Sequence, residues 1–525
     1  MEHTLYEWFA ASVAEFGDRP ALEVGEERLT YRELHGLAER IAADLVAARR
    51  GVPARVGLLA GRDVLTYAGY LAVQRLGAAV VPLSPSVPAA RNAMIVRAAG
   101  LDLVLAGTTS SGPGTPSWPV PVVPLRRTAP PTTRLRLPRR RADDTDALAY
   151  VLFTSGSTGT PKGVPVRHGN VSAYLAHVIA RYGLGPGCRV SQTFDLTFDL
   201  SVFDMFATWG SGATLVVPTR RDLMVPVRWV ADRKLTHWFS VPSLVSFARR
   251  MRTLRPGRMP GLRWSLFCGE PLTLQQAAAW AAAAPHSTLA NLYGPTELTI
   301  SCAEYTLPAD AARWPRPANG TVPIGSVHPG LEHLVLDARG RPAGEGELVV
   351  RGAQRFPGYL DADNDKDRFL SCDGPGATAT PYTGDGPLTA EHWYRTGDRV
   401  RREGGRLVHL GRMDQQIKLH GYRIELGEIE AALRDQPGVR DAVAVAVARP
   451  GDEITLEAVC TGGDLVAEAI RSGLEARLPA YMVPRVTSVV DELPLNANGK
   501  IDRQAVTTAL EGRRAAARRP VTPRG

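Results

Sequence analysis

Ala149-Tyr150-Val151-Leu152-Phe153-Thr154-Ser155-Gly156-Ser157-Thr158-Gly159-Thr160-Pro161-Lys162-Gly163 is the most informative stretch of this 525-residue chain. Its first five residues form a continuous apolar run and read as a buried strand. The residues that follow concentrate hydroxyls, flexible glycines and one lysine. Glycines let backbone N–H groups approach an oxyanion, hydroxyls add donors and Lys162 adds positive charge. Thr154, Ser155, Gly156, Ser157, Thr158 and Gly159 therefore read as a phosphate cradle. The loop is not a Walker A motif, which requires Gly-Lys-Ser/Thr, because Pro161 precedes Lys162 and Gly163 follows it. In isolation, an ordinary Ser/Gly-rich surface turn has the same composition.

Upstream, Thr30-Tyr31-Arg32-Glu33 forms a capping box, and Leu34, Leu37, Ile41 and Leu45 follow at helical spacing. Val56 to Ala60 reads as a strand, Asp63 to Leu76 as a helix and Ala78 to Leu83 as a second strand. That βαβ unit puts the chain in the α/β class. Gly107 to Arg141 is Pro-rich without apolar alternation and reads as a long irregular connection. Downstream, Gly427 to Leu433 reads as a helix, Ala442 to Val447 and Thr455 to Cys460 as strands, and Asp464 to Leu478 as a helix. These elements make a small α+β lobe. The charged turn Gly411-Arg412-Met413-Asp414 sets the boundary between residues 1–413 and 414–525.

Hydrophobic residues at 44% and charged residues at 22% match ordinary globular usage, which excludes a fibrous or wholly disordered chain. The longest smooth apolar stretch, Ala277 to Ala284, is far shorter than a membrane span of roughly 20 residues. Met1 to Ala10 carries Glu2 and Glu7 and has no signal-peptide pattern, so a cytoplasmic location is expected. Cys188, Cys268, Cys302, Cys372 and Cys460 form no CxxC pair and point to reduced thiols. The net charge of +9 invites a nucleic-acid reading. Arg126, Arg127, Arg134, Arg136, Arg139, Arg140, Arg141, Arg513, Arg514, Arg518, Arg519 and Arg524 account for it. Removing those twelve takes the remainder from +9 to −3. They sit in Pro-, Ala- or Gly-rich segments without interleaved aromatics, so no nucleic-acid partner is expected.

The loop at 154–163 resembles the signature of the adenylate-forming superfamily, which includes acyl-CoA synthetases, luciferases and peptide-synthetase adenylation domains. Further matches stand in order along nearly the whole chain: Asn291-Leu292-Tyr293-Gly294-Pro295-Thr296-Glu297, Tyr394-Arg395-Thr396-Gly397-Asp398, the run Gly411 to Glu430, and Asn498-Gly499-Lys500. The resemblance implies a large N-terminal α/β domain with a small mobile C-terminal domain, ATP and Mg²⁺ as cofactors, and a role for each motif. Tyr293 would stack on adenine, Thr296 would donate to the α-phosphate and Glu297 would ligate Mg²⁺. Asp398, after a Thr-Gly turn, would take the ribose hydroxyls with Arg412 nearby. Lys500 would bridge the substrate carboxylate and the phosphate in the transition state. Asp414 would be the hinge about which the small lobe swings between half-reactions, and Gly421 would line the entry of a phosphopantetheine arm. Residue by residue, plain turn roles remain open for Glu297, Asp398, Gly421 and Lys500.

Phe198-Asp199-Leu200-Ser201 stands where amino-acid-activating members keep an aspartate for the substrate ammonium. A buried unpaired carboxylate is costly, so Asp199 there calls for a cationic partner. The alternative is a helix cap before Val202 to Ala207. The pocket carried over by resemblance is Asp199, Leu200, Phe203, Ser240, Leu266, Cys268, Gly269, Leu292, Ile300, Ser301 and Lys500. Bulky apolar walls imply a small side chain: alanine first, then glycine or serine. Leu266-Phe267-Cys268-Gly269-Glu270 and Gln416 to Arg423 resemble D-alanine:carrier-protein ligases. Ligases of β-amino-acid macrolactam pathways of the vicenistatin type, which attach L-alanine to a carrier-bound amine, are a second similar group. Both use a discrete acyl carrier protein, and the 22 residues after Arg503 are too few to hold one. The resulting expectation is an ATP-dependent ligase that adenylates a small amino acid and loads a carrier acting in trans, with no membrane association. Two rivals are carried: an acyl- or aryl-CoA synthetase of the same fold, and a catalytically silent nucleotide-binding protein.

Overall fold

The computed structural model describes residues 3–49, 51–107, 118–127, 144–156, 160–372, 376–414, 416–449, 453–463, 465–494 and 501–517. The chain forms two compact units. One comprises the residues up to Pro85, Asn92–Thr154 and Lys162–Met413. The other comprises the chain from Asp414 together with Ser86–Arg91 and Ser155–Pro161.

In the first unit, helix Tyr31–Arg49 starts as its capping box dictates. Thr30 donates its backbone N–H and its hydroxyl to Glu33 at 2.8 and 2.9 Å, and Glu33 N–H donates to Thr30 Oγ1 at 3.2 Å. The helix buries Leu34, Leu37, Ile41 and Leu45 as the spacing requires. Strand Arg55–Leu59, helix Val64–Arg75 with Asp63 capping Thr66 N–H, and strand Ala79–Leu83 complete the βαβ unit. They join a six-stranded sheet ordered Val122–Leu125, Leu103–Gly107, Arg55–Leu59, Ala79–Leu83, Leu148–Thr154, Lys162–Arg167. Every pairing is parallel except the last. The stretch 107–141 is therefore not irregular throughout, because Val122–Leu125 adds an edge strand. Its Pro124 is tolerated because an edge strand has a side with no ladder to break.

A nine-stranded sheet has a parallel centre: Pro20–Val24, Thr214–Val217, Arg189–Ser191, His237–Ser240, Trp264–Phe267 and Thr288–Tyr293. Antiparallel strands Glu27–Thr30 at one side and Ala303–Thr306 with Ser326–Val327 at the other close its edges. A third sheet is antiparallel and includes Glu345–Gly352, Trp393–Glu403 and Arg406–Arg412. Trp209, Trp238 and Trp280 are fully buried among these layers, and each would cost about 3–5 kcal/mol if truncated to alanine.

The second unit carries a hairpin, Gln416–Leu419 with Tyr422–Glu425, then helix Leu426–Arg434 and a sheet of Val439–Arg449, Glu453–Gly462 and Val486–Val489. Strand Val439–Arg449 is apolar on both faces. Ala442 and Ala444 pack with Ile429 and Leu433, whereas Val443, Val445 and Val447 pack with Val506 and Leu510 of helix Arg503–Ala517. The helix expected from Asp464 to Leu478 spans Ala467–Glu475, and Asp464 lies outside the described residues. None of the five cysteines is in a disulfide. No helix of the described residues is long and apolar enough to cross a membrane.

Candidate functional site

The parallel strands of the nine-stranded sheet bring Ser240, Leu266, Cys268, Gly269 and Leu292 to one carboxyl edge, where α/β sheets hold ligands. Ser240, Leu266, Cys268 and Leu292 are all buried. Ser240 Oγ accepts from Trp238 Nε1 at 2.9 Å and donates to the Val241 carbonyl at 3.2 Å. Across the edge, Asp199 immediately precedes the short helix Leu200–Val202, which continues into the π-helical turn Phe203–Ala207. The Phe203 ring packs against Tyr174, Tyr182 and Phe239 at 6.3, 6.0 and 4.9 Å and fills the space between them.

Asp199 is 7% exposed and makes no capping hydrogen bond, so the helix-cap role does not account for it. Its Oδ2 is buried and has no hydrogen-bond partner. Burial pushes its carboxyl up to about 7, and the nearby Glu297 carboxylate adds to that. A hydrogen bond with the Thr296 side chain and the backbone N–H groups of Ile300 and Leu200 pull the other way. Asp199 thus stands with Thr296, Glu297 and Ile300, and its field reaches Tyr150 and Tyr174. Ser301 Oγ donates to Tyr174 Oη at 3.1 Å.

Two residues of this cluster escape sequence reading. Tyr150, fully buried in strand Leu148–Thr154, has a hydroxyl with no partner, and Tyr174 carries the Ser301 bond. A phenol inside an otherwise apolar strand is the signal that could have marked Tyr150. Gln354 is a third. Thr299 and Ile300 both take left-handed backbone angles, φ 57° and 72°. That is costly for β-branched residues and typical of functional loops. The Gln354 side-chain amide donates to the carbonyls of Leu298, Thr299 and Ser301 at 3.2, 3.3 and 2.7 Å and holds the strained turn.

Tyr293 ends strand Thr288–Tyr293 and donates its phenolic hydrogen to Asp398 Oδ2 at 2.6 Å. Asp398 also meets His409 Nε2 at 2.9 Å and Arg412 Nη1 at 3.4 Å. It does not follow a turn as expected. It lies inside strand Trp393–Glu403, opposite Arg412, where the pairing with Glu345–Gly352 shifts register between Arg395 and Arg399 and Gly397 takes φ 70°. Gly294 is required by space, since a Cβ there would stand 2.6 Å from Ser301 Cα. Glu297 is fully buried and accepts from Tyr359 Oη at 2.7 Å, and Lys162 Nζ lies 5.7 Å from the Tyr359 ring centre.

Thr154 and Lys162 face each other across an antiparallel pair, so the cradle loop is a hairpin connection, not the strand-to-helix turn of a P-loop. Within the second unit, Ser155 Oγ donates to the Arg423 carbonyl at 2.7 Å and accepts from Glu425 N–H at 3.2 Å, and Gly156 N–H meets Glu428. Asp414 Oδ1 accepts from Gln416 N–H at 3.1 Å. Gly421 follows His420 in a two-residue hairpin turn with φ 82° and 53°, which glycine favours. Ser157, Thr158, Gly159 and Lys500 lie outside the described residues.

The profile of the family described as AMP-binding enzyme matches residues 9–360, and that described as AMP-binding enzyme C-terminal domain matches residues 428–500. The chain is 36% identical to the probable non-canonical nonribosomal peptide synthetase CymA of Salinispora arenicola, over 95% of this chain and 6% of that protein. It spans less than half the length of the curated relatives it matches. Among solved structures, IdnL7 is 37% identical with a TM-score of 0.68, covering 98% of this chain and 100% of that one. The Vibrio cholerae adenylation domain AlmE, in complex with glycyl-adenosine-5'-phosphate, is 26% identical with a TM-score of 0.81 and 98% coverage of both. Matched over residues 9–360 and 428–500 by these two profiles, the chain belongs to the AMP-binding enzyme family of adenylate-forming proteins.

Proposed function

We propose that this chain adenylates a small amino acid with ATP and transfers the aminoacyl group to a discrete acyl carrier protein, alanine being the first candidate and glycine or serine the next. The observation that carries the reading is the buried Asp199 carboxylate, whose Oδ2 has no partner, set beside the Thr296-Glu297 turn. A substrate ammonium supplies the missing donor and the missing charge. Packing of Phe203 against three aromatic rings leaves little depth beyond it, which supports a short side chain. AlmE, with its bound glycyl adenylate, points the same way.

In the first half-reaction, a carboxylate oxygen of the amino acid attacks the α-phosphorus of ATP, a C–O–P bond forms and pyrophosphate leaves with the electron pair of the broken P–O bond. Lys162 and the hydroxyl of Thr154 offset the charge on the phosphates, Thr296 donates to the α-phosphate and Asp398 takes the ribose hydroxyls. Glu297 fits Mg²⁺ as a hard oxygen ligand held in place by the Tyr359 hydroxyl, and the ion would neutralise phosphate charge. Lys500 grips the substrate carboxylate. In the second half-reaction, a swing about Asp414 withdraws Lys500, and a pantetheine thiol or a carrier-tethered amine passing Gly421 attacks the carbonyl, releasing AMP. Residues 1–413 hold the ATP and amino-acid sites in this reading, and residues 414–525 act as the lid.

ATP–pyrophosphate exchange with a panel of L- and D-amino acids tests the proposal. Exchange with alanine, glycine or serine is expected, and none with any small amino acid would overturn it. Mass spectrometry of loaded carriers then separates thioester from amide. An acyl- or aryl-CoA synthetase would instead keep its activity in Asp199→Ala.

A further inference from the structure

Among the described residues, His177, Glu304 and His328 bring one imidazole nitrogen each and one carboxylate oxygen within 4.8 Å of one another. They come from three separate elements: helix His168–Arg181, strand Ala303–Thr306, and the connection between Ser326–Val327 and Leu331–Leu336. The two imidazole rings lie 4.7 Å apart.

The tautomer of His328 follows from its neighbours. Gln354 Nε2 donates to three backbone carbonyls, so the Gln354 atom 3.3 Å from His328 Nδ1 is the amide oxygen, which only accepts. Nδ1 therefore carries the hydrogen, and Nε2 presents a bare lone pair. His328 is 2% exposed, and its Nε2 has no partner. The Nε2 of His177 is likewise buried without a partner. Two orphaned imidazole nitrogens in one spot are uncommon in a folded interior and call for an explanation. Each Glu304 carboxylate oxygen accepts one hydrogen bond, Oε2 from the Tyr182 hydroxyl and Oε1 from Arg181, whose guanidinium is anchored on Thr306 Oγ1 and over the Trp264 ring.

We propose that His177, His328 and Glu304 form a binding site for a divalent transition-metal ion, zinc by its ligand chemistry. Two imidazole nitrogens and one carboxylate oxygen, with a solvent-derived fourth ligand, match tetrahedral zinc and suit Mg²⁺ poorly. The surrounding bonds match too, because a ligating histidine usually donates its other N–H to an oxygen, and a ligating carboxylate is itself hydrogen-bonded. The ion would take no part in adenylation. His328 stacks on Tyr174 at 6.0 Å, and Tyr174 accepts from Ser301, so the metal would brace the wall behind the amino-acid pocket by pinning three elements together.

The test is a Zn²⁺ titration of the untagged full chain, stripped of metal beforehand, against a chromophoric chelator, followed by substitution with Co²⁺. Expected are one Zn²⁺ per chain, the visible absorption of four-coordinate Co²⁺, and affinity at least about ten-fold weaker in both His177→Ala and Glu304→Gln. Excess Mg²⁺ should not displace the zinc. His177 and Glu304 are half-buried, so both variants should fold, and their melting curves without metal check this. Absence of stoichiometric uptake by the wild-type chain would overturn the proposal, as would equal affinity in either folded variant.

Discussion

Tyr293 gives its phenolic hydrogen to Asp398 across 2.6 Å, joining the last residue of a parallel strand in one sheet to the middle of an antiparallel strand in another. Asp398 is 1% exposed and is further held by His409 and Arg412. If its carboxylate receives the ribose, Asp398→Asn should raise the KM for ATP at least ten-fold, about 1.4 kcal/mol, and leave the KM for the amino acid unchanged. Tyr293→Phe removes one donor and should cost about 1 kcal/mol of stability with a smaller rise in KM. Pyrophosphate exchange at varied ATP measures both, and an unaltered KM in Asp398→Asn would exclude the ribose role.

Asp199 couples stability to pH. Its carboxyl is raised from 3.8 to about 7, chiefly by burial, so the ligand-free fold keeps a proton that the unfolded chain releases. The stabilisation is complete below about pH 4 and is lost as pH rises through 7. Asp199→Asn should therefore unfold later than wild type at pH 8, by about 4 kcal/mol, and by less than half of that at pH 5. It should also abolish amino-acid activation. In the wild-type chain, the KM for the amino acid should climb as pH falls below 7, because the ammonium pairs with the ionised carboxylate. A stability gap of equal size at both pH values would contradict this.

Gln354 touches no proposed substrate atom, yet it supports the left-handed pair Thr299 and Ile300. Gln354→Ala should cost about 2–3 kcal/mol in urea unfolding by leaving buried carbonyls without donors. Its kinetic effect should fall on the KM for the amino acid, with the KM for ATP nearly constant. A change confined to ATP would place its influence elsewhere.

Lys500 offers a test of the two-step scheme. Lys500→Ala should slow adenylation by roughly 100-fold or more, as expected when charge stabilisation at a transition state is removed. Transfer from preformed aminoacyl adenylate to the carrier should proceed at the wild-type rate. Rapid-quench measurement of each half-reaction decides, and equal slowing of both would rule out the swing that withdraws the lysine.

Legibility in the sequence followed the range of each signal. The capping box at Thr30 and the apolar spacing from Leu34 to Leu45 predict a helix because every contact involved lies within four residues. The run Ala442 to Val447 predicts a strand yet hides that its alanines and valines serve two different cores. Val122–Leu125 escaped because Pro124 and the preceding Pro121 mask a strand that needs only one paired edge. Asp398 read as a turn residue, since a Thr-Gly pair is ambiguous between a turn and a bulged strand.

By itself the sequence determined the α/β class, the order of the chemical motifs and the position of Asp199, because caps, periodicity and motif spacing are written within short windows of chain. Tertiary structure alone decided that Asp199 is strained toward its neutral form, that Tyr150 and Gln354 belong to the site, and that His177, Glu304 and His328 converge. Desolvation and convergence depend on what distant segments bring to one place, and no local pattern in the chain encodes that.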